Sequence, residues 1–189
     1  MEEIEAILKS TSKTVAKLTD TEASQSAFLK LSNSNVNLIH IATHGAYLAA
    51  EHQTEEESMQ NSILAFAGAN NYEDTHDGIL TAADIAKMNL RHCDLVVLSA
   101  CETGLGKLGD DGVFGLQRGF KNAGVHTLMM STKTVYDQTT ADMMVSFYRH
   151  LAEGLSMRES LVKAQQEVRD SGHTDAKYWA TFILLDAID

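Results

Sequence analysis

A cysteine and a histidine can split a peptide bond between them if the fold brings them together. The imidazole removes the thiol proton, the thiolate attacks the carbonyl carbon, and the proton is then handed to the leaving amine. The chain has two cysteines, Cys93 and Cys101, and eight histidines. Cys101 stands in Ser99-Ala100-Cys101-Glu102-Thr103-Gly104 and His44 in Ala42-Thr43-His44-Gly45, each directly after an apolar run. Attack leaves a negative oxygen that needs N–H donors. Gly45, lacking a side chain, can present its amide there, and the amide of Cys101 is a second donor. Gly104 and Gly106 leave room for a substrate backbone. The same residues also have a plainer account, with Cys101 an inert core thiol and His44 an ordinary hydrogen-bonded imidazole. Residue types alone leave both open.

The elements around these residues bear on the choice. Val36 to Ala42 and Asp94 to Ala100 read as buried strands, the second nearly continuously apolar, as strands covered on both faces are. Helical patterns run over Glu2 to Leu8 and Thr21 to Leu31. Residues 46–62, with the acidic stretch Glu51 to Glu57, read as an exposed loop holding a helical turn. A small strand is expected over Ile63 to Ala67, ended by Gly68-Ala69-Asn70-Asn71. Thr81 and Asp84 are placed to cap a helix reaching Met88, and Asp110 and Asp111 to cap one at Val113. Val113, Leu116, Phe120 and Ala123 share a helical face, with Gly124 as a left-handed C-cap. Val125 to Ser131 is a strand, Gln138 to Glu153 a helix, and Ser156-Met157-Arg158-Glu159 a capping box for a helix through Val168. Trp179 to Leu185 is expected as a closing strand.

Strands alternating with helices imply an α/β fold with a mostly parallel sheet and helices on both faces. Ligands of such sheets bind beyond the carboxyl ends of the strands. His44 and Cys101 both fall there.

With 189 residues, 44% of them hydrophobic, the chain suits one domain over residues 1–189. A net charge of -11 and a pI near 5.1 argue against nucleic acid and anionic membranes as partners. No apolar run approaches the roughly 20 residues that span a bilayer. The start Met1-Glu2-Glu3 is the opposite of a signal peptide's basic region, so a cytoplasmic location is expected. Two cysteines exclude a disulfide framework, and Cys93 reads as a structural thiol.

Two other chemistries can be weighed. Gly104-Leu105-Gly106-Lys107-Leu108-Gly109 matches the dinucleotide fingerprint after a strand. It sits late in the chain, Asp110-Asp111 would repel a pyrophosphate, and no acidic ribose ligand ends the next strand. A metal site would need histidines at helical spacing or paired cysteines. His40 and His44 instead lie on a strand and at its end, so scattered surface histidines are expected and no metal or cofactor.

The runs Ile39-His40-Ile41-Ala42-Thr43-His44-Gly45 and Asp94 to Gly104 resemble the CHAT family, caspase-like domains often fused to tetratricopeptide repeats in bacteria. Leu64 to Asn70, Asp77 to Ala82, Gly112 to Phe120 and Tyr178-Trp179-Ala180 are similar to that family's blocks, in its order. The likeness covers residue 20 to the C-terminus, so residues 1–20 read as the end of a preceding region. It implies a caspase-like three-layer sandwich and a separase-related cysteine peptidase with His44 as base and Cys101 as nucleophile. In separases an acidic residue after a Trp-containing strand end lines the pocket for a basic P1 side chain, and Asp137 falls there. Here the family's Leu-Trp-Lys-Val-Asp-Asp-like run is replaced by Thr132-Lys133-Thr134-Val135-Tyr136-Asp137. Lys133, in place of the tryptophan wall, could neutralise Asp137 or admit an acidic side chain. A cap for the helix near Gln138 is the plainer role of Asp137.

The expectation is therefore a cysteine endopeptidase in bacterial signalling or defence, acting on a protein substrate under a regulatory partner or fused sensor region. The alternative is a catalytically silent caspase-like scaffold.

Overall fold

The computed structural model describes residues 1–48, 54–70, 78–99, 112–132 and 137–186. Its elements are α1 (Glu2–Ser10), a 3-10 turn (Asp20–Glu22), α2 (Gln25–Leu29), β1 (Leu38–Ile41), β2 (His44–Tyr47), α3 (Glu55–Asn61) and β3 (Ser62–Ala65). These are followed by β4 (Ile79–Thr81), α4 (Ala82–Ile85), β5 (Leu95–Leu98), α5 (Gly112–Asn122) and β6 (Thr127–Ser131). Last come α6 (Asp137–Ala152), α7 (Met157–Asp170), α8 (Ala176–Trp179) and β7 (Phe182–Asp186). The chain forms two compact units: Met1–Leu18 with Val135–Phe182, and Thr19–Thr134 with Ile183–Asp189.

The larger unit is built on a four-stranded sheet in the order β1-β5-β6-β7. β1 pairs parallel with β5, and β5 parallel with β6. All four residues of β5 and all five of β6 are buried, which fits their near-continuous apolar sequence. Side chains alternate between two faces. Ile39, Ile41, Val96, Leu98, Leu128 and Met130 join a core with α4 and α5, whereas Leu95, Val97 and Met129 are buried on the opposite face. Phe28 of α2 closes the core, 5.4 Å from the Phe66 ring and edge-on to Phe120.

A second sheet of three short antiparallel strands, β2-β3-β4, follows the first strand. Sequence patterning reads residues 46–62 as an exposed loop with a helical turn; among the described residues of this stretch the helical part is the whole of α3, and Ala46 and Tyr47 belong to β2. Thr54 and Glu57 cap α3 reciprocally, a signature present in the sequence but masked there by the density of acidic side chains. β2 and β4 carry no apolar alternation, and pairing with β3 is what makes them strands.

The capping boxes at Thr81–Asp84 and Ser156–Glu159 form as expected, and Gly124 takes φ +93°. The helix expected over Thr21 to Leu31 is shorter, because Ser24 accepts from the Ala27 N–H and starts α2 there. Trp179 belongs to α8, begun by Asp175, so the closing strand starts at Phe182.

α5 packs closely through two glycines one turn apart. A Cβ on Gly115 would overlap Ser62, and one on Gly119 would sit 2.6 Å from the Ala82 carbonyl oxygen. Neither position has room for a side chain.

The smaller unit joins α1, α6, α7 and α8. Met143, Met144, Phe147 and Tyr148 of α6 and Leu161, Ala164 and Val168 of α7 are buried. Glu167 ties α7 to α6, accepting from Ser146 Oγ at 2.6 Å and Arg149 at 2.5 Å and meeting His150 Nε2 at 2.8 Å. Burial alone would raise the Glu167 carboxyl; these partners outweigh it and hold the group below the usual range.

Candidate active site

β1 and β5 end side by side. The Ser99 N–H donates to the Ile41 carbonyl at 2.9 Å, one rung beyond the pairing of Ile41 with Leu98. From the end of β1 the chain turns through Ala42 and Thr43 into β2. The Thr43 hydroxyl donates to the Ala65 carbonyl and ties this turn to β3. His44 is the first residue of β2, opposite Ala65, with its side chain exposed. The imidazole thus stands in solvent at the carboxyl edge, where a general base can exchange protons with a bound substrate.

Gly45 is buried and faces Leu64 across the ladder. Hydrogen-bonded and non-hydrogen-bonded pairs alternate along antiparallel strands. The Leu48 N–H donates to the Asn61 carbonyl at 2.9 Å, which makes His44–Ala65 a bonded pair and Gly45–Leu64 a non-bonded one. The Gly45 N–H therefore points away from β3, on the outer edge of β2. This leaves a backbone donor directed outward beside His44.

Behind His44 lies a pair that sequence reasoning did not single out. His40 Nε2 and Ser99 Oγ are 3.0 Å apart. Both side chains leave the sheet on the face opposite Ile39, Ile41 and Leu98, and both are half-buried. Burial pushes the His40 imidazole down to about 4, so it is neutral at pH 7. The available signal was parity: His40 and Ser99 each sit one residue from a core position, on strands expected to be neighbours.

Cys93 is fully buried, its Sγ 3.4 Å from the Leu95 carbonyl, and burial pushes its thiol up to about 11. Such a thiol carries almost no thiolate at neutral pH. The histidines are not all at the surface as expected: His150 is buried between Glu153 and Glu167, at 3.0 and 2.8 Å. Among the described residues no three His, Cys, Asp or Glu side chains are placed to hold a metal ion. None of the described helices is long and apolar enough to cross a membrane.

Cys101, Gly104, Gly106, Asp110, Asp111 and Lys133 lie outside the described residues. Asp137 is the first residue of α6, one position later than a cap would stand, and its side chain lies outside the description.

The profile of the CHAT domain matches residues 1–187. A 108-residue stretch is 32% identical to the mouse (Mus musculus) tetratricopeptide repeat protein 28, covering 57% of this chain and 4% of that protein. The chain thus spans a small fraction of the length of this relative.

Proposed function

Because the chain belongs to the CHAT domain family, a family of caspase-like cysteine peptidases, we propose that it is a cysteine endopeptidase with His44 as general base and Cys101 as nucleophile. The observation that carries this reading is the exposed imidazole of His44 at the carboxyl edge, beside the end of the strand that leads to Cys101. In the proposed reaction His44 takes the Cys101 proton, and the thiolate adds to the substrate carbonyl carbon. The oxyanion accepts hydrogen bonds from the N–H groups of Gly45 and Cys101. When the intermediate collapses, the C–N bond breaks, the imidazolium protonates the leaving amine, and a thioester remains. His44 then deprotonates a water molecule, which hydrolyses the thioester and restores the thiol.

The finer elements of the reading belong to the same proposal. The fold is a caspase-like three-layer sandwich. Asp137 lines a P1 pocket for a basic side chain, and Lys133 turns its amine to solvent. The substrate is a protein met in the cytoplasm, in signalling or defence. A regulatory partner or a fused repeat region controls access, a view supported by similarity to a tetratricopeptide repeat protein.

A thiol-directed peptidyl electrophile followed by mass analysis tests the dyad. Cys101 should be labelled and Cys93 spared, and labelling should vanish in His44→Ala. Cleavage of a susceptible protein should be lost in Cys101→Ala with the far-UV spectrum unchanged. Undiminished cleavage by folded Cys101→Ala protein would rule the dyad out, whereas a folded parent that neither cleaves nor takes the label at Cys101 would favour the silent scaffold, which draws its own support from Lys133 in place of the family's tryptophan.

A further inference from the structure

We propose that the hydrogen bond between His40 and Ser99 is a positioning clamp for the proposed dyad, holding the end of β5 from which the chain runs on to Cys101. This inference rests on the dyad reading above. His40 lies four residues before His44 and Ser99 two before Cys101, so the bond joins the two chains just ahead of both. Among the described residues the backbone ladder between β1 and β5 has its last rung at the Ser99 N–H and the Ile41 carbonyl. That rung holds the Ser99 nitrogen and leaves its side-chain rotamer free. The imidazole removes this freedom. His40 pairs with Val97 in register, and its ring reaches one pleat further along the same face to meet the Ser99 hydroxyl at 3.0 Å.

Imidazole and hydroxyl at this distance could also be read as a serine nucleophile and its base. A half-buried imidazole held neutral to about pH 4 is a weak proton acceptor for that role. It is well suited to holding one hydrogen bond unchanged around neutral pH. Misplacing a reacting group by a fraction of an ångström is costly because attack needs near-contact geometry.

The test follows alkylation of Cys101 by iodoacetamide, site by site by mass, as a function of pH in the 189-residue protein. Ser99→Ala should slow alkylation at pH 7 about tenfold and move its pH profile toward that of a free thiol. His40→Leu should do the same. Ser99→Thr keeps the hydroxyl and His40→Gln keeps a hydrogen-bonding side chain; both should stay within about twofold of the parent rate. The double variant Ser99→Ala/His40→Leu should be no slower than either single one. If Ser99→Ala does not fold, Ser99→Val compared with Ser99→Thr isolates the hydroxyl at constant shape. A parent Cys101 no more reactive than free cysteine overturns the dyad and the clamp with it. A reactive Cys101 whose rate and pH profile are unchanged in the folded Ala or Val variant overturns the clamp alone.

Discussion

At the scale of single residues, three histidines illustrate how environment decides role. His44 is exposed at a strand end, His40 is half-buried against a serine, and His150 is buried between two carboxylates. His40 makes a stability prediction whose sign can be worked out. Its folded-state value of about 4 lies below the usual 6.5, so on acidification the unfolded chain takes the proton first. The full contribution is present above 6.5 and is lost as pH falls from there toward 4, by about 3 kcal/mol in all. Urea unfolding at pH 7 and pH 4 should show this loss as the difference between the parent and His40→Gln, which lacks the titrating group. Equal pH dependence of the two would contradict a neutral, desolvated His40. The proposed P1 pocket makes a separate prediction. With Asp137 unpaired, a basic P1 side chain gains a charge-assisted hydrogen bond, so Asp137→Ala should lower cleavage after Arg or Lys at least tenfold more than cleavage after Leu, on the order of 1.4 kcal/mol. A positional peptide library showing Arg and Lys no better than Leu or Asp at P1 refutes this preference.

At the scale of elements, α5 shows why a glycine-bearing block is needed where it stands. Gly115 and Gly119 bring its backbone against Ser62 and Ala82, at the start of β3 and of α4. Close approach holds β3 and β4, and through them β2 and His44, against the core. Gly119→Ala should gain roughly 1 kcal/mol of helix propensity and lose more to overlap, because the atoms it meets are the Ala82 carbonyl oxygen and Cα, which cannot swing aside. A net destabilisation of about 1–2 kcal/mol in chemical denaturation is expected, with slower Cys101 labelling if β2 shifts. An unfolding midpoint at or above the parent's would show that α5 has slack at this point.

At the scale of the whole molecule, a net charge of -11 favours basic substrates at a distance and disfavours acidic ones. Cleavage of a basic peptide should therefore fall as salt rises. The chain spans 4% of a tetratricopeptide repeat relative, and the proposed control by a partner or fused region predicts a slow enzyme when the 189 residues act alone. Adding the cognate region should raise kcat rather than lower KM. Full turnover by the isolated chain would remove the need for an activator.

What could be read from the sequence was whatever a short window contains. Leu95 to Leu98 had to be a buried strand because four successive apolar residues leave no solvent face, and the capping boxes at Thr81 and Ser156 are four-residue chemistry. The motif around His44, set directly after an apolar strand, marked the carboxyl edge as the candidate site. β2 and β4 could not be seen in this way. They are three to four residues long, unpatterned, and made strands only by pairing with β3. The direction of the Gly45 amide follows from the phase of that ladder, which no local property of Gly45 contains. Likewise His40 and Ser99 are 59 residues apart, and each alone is an unremarked polar residue near a strand end. Local propensity acts over a few residues, whereas register and burial are set by whichever distant segments the whole chain packs together, so only the tertiary structure could join that pair.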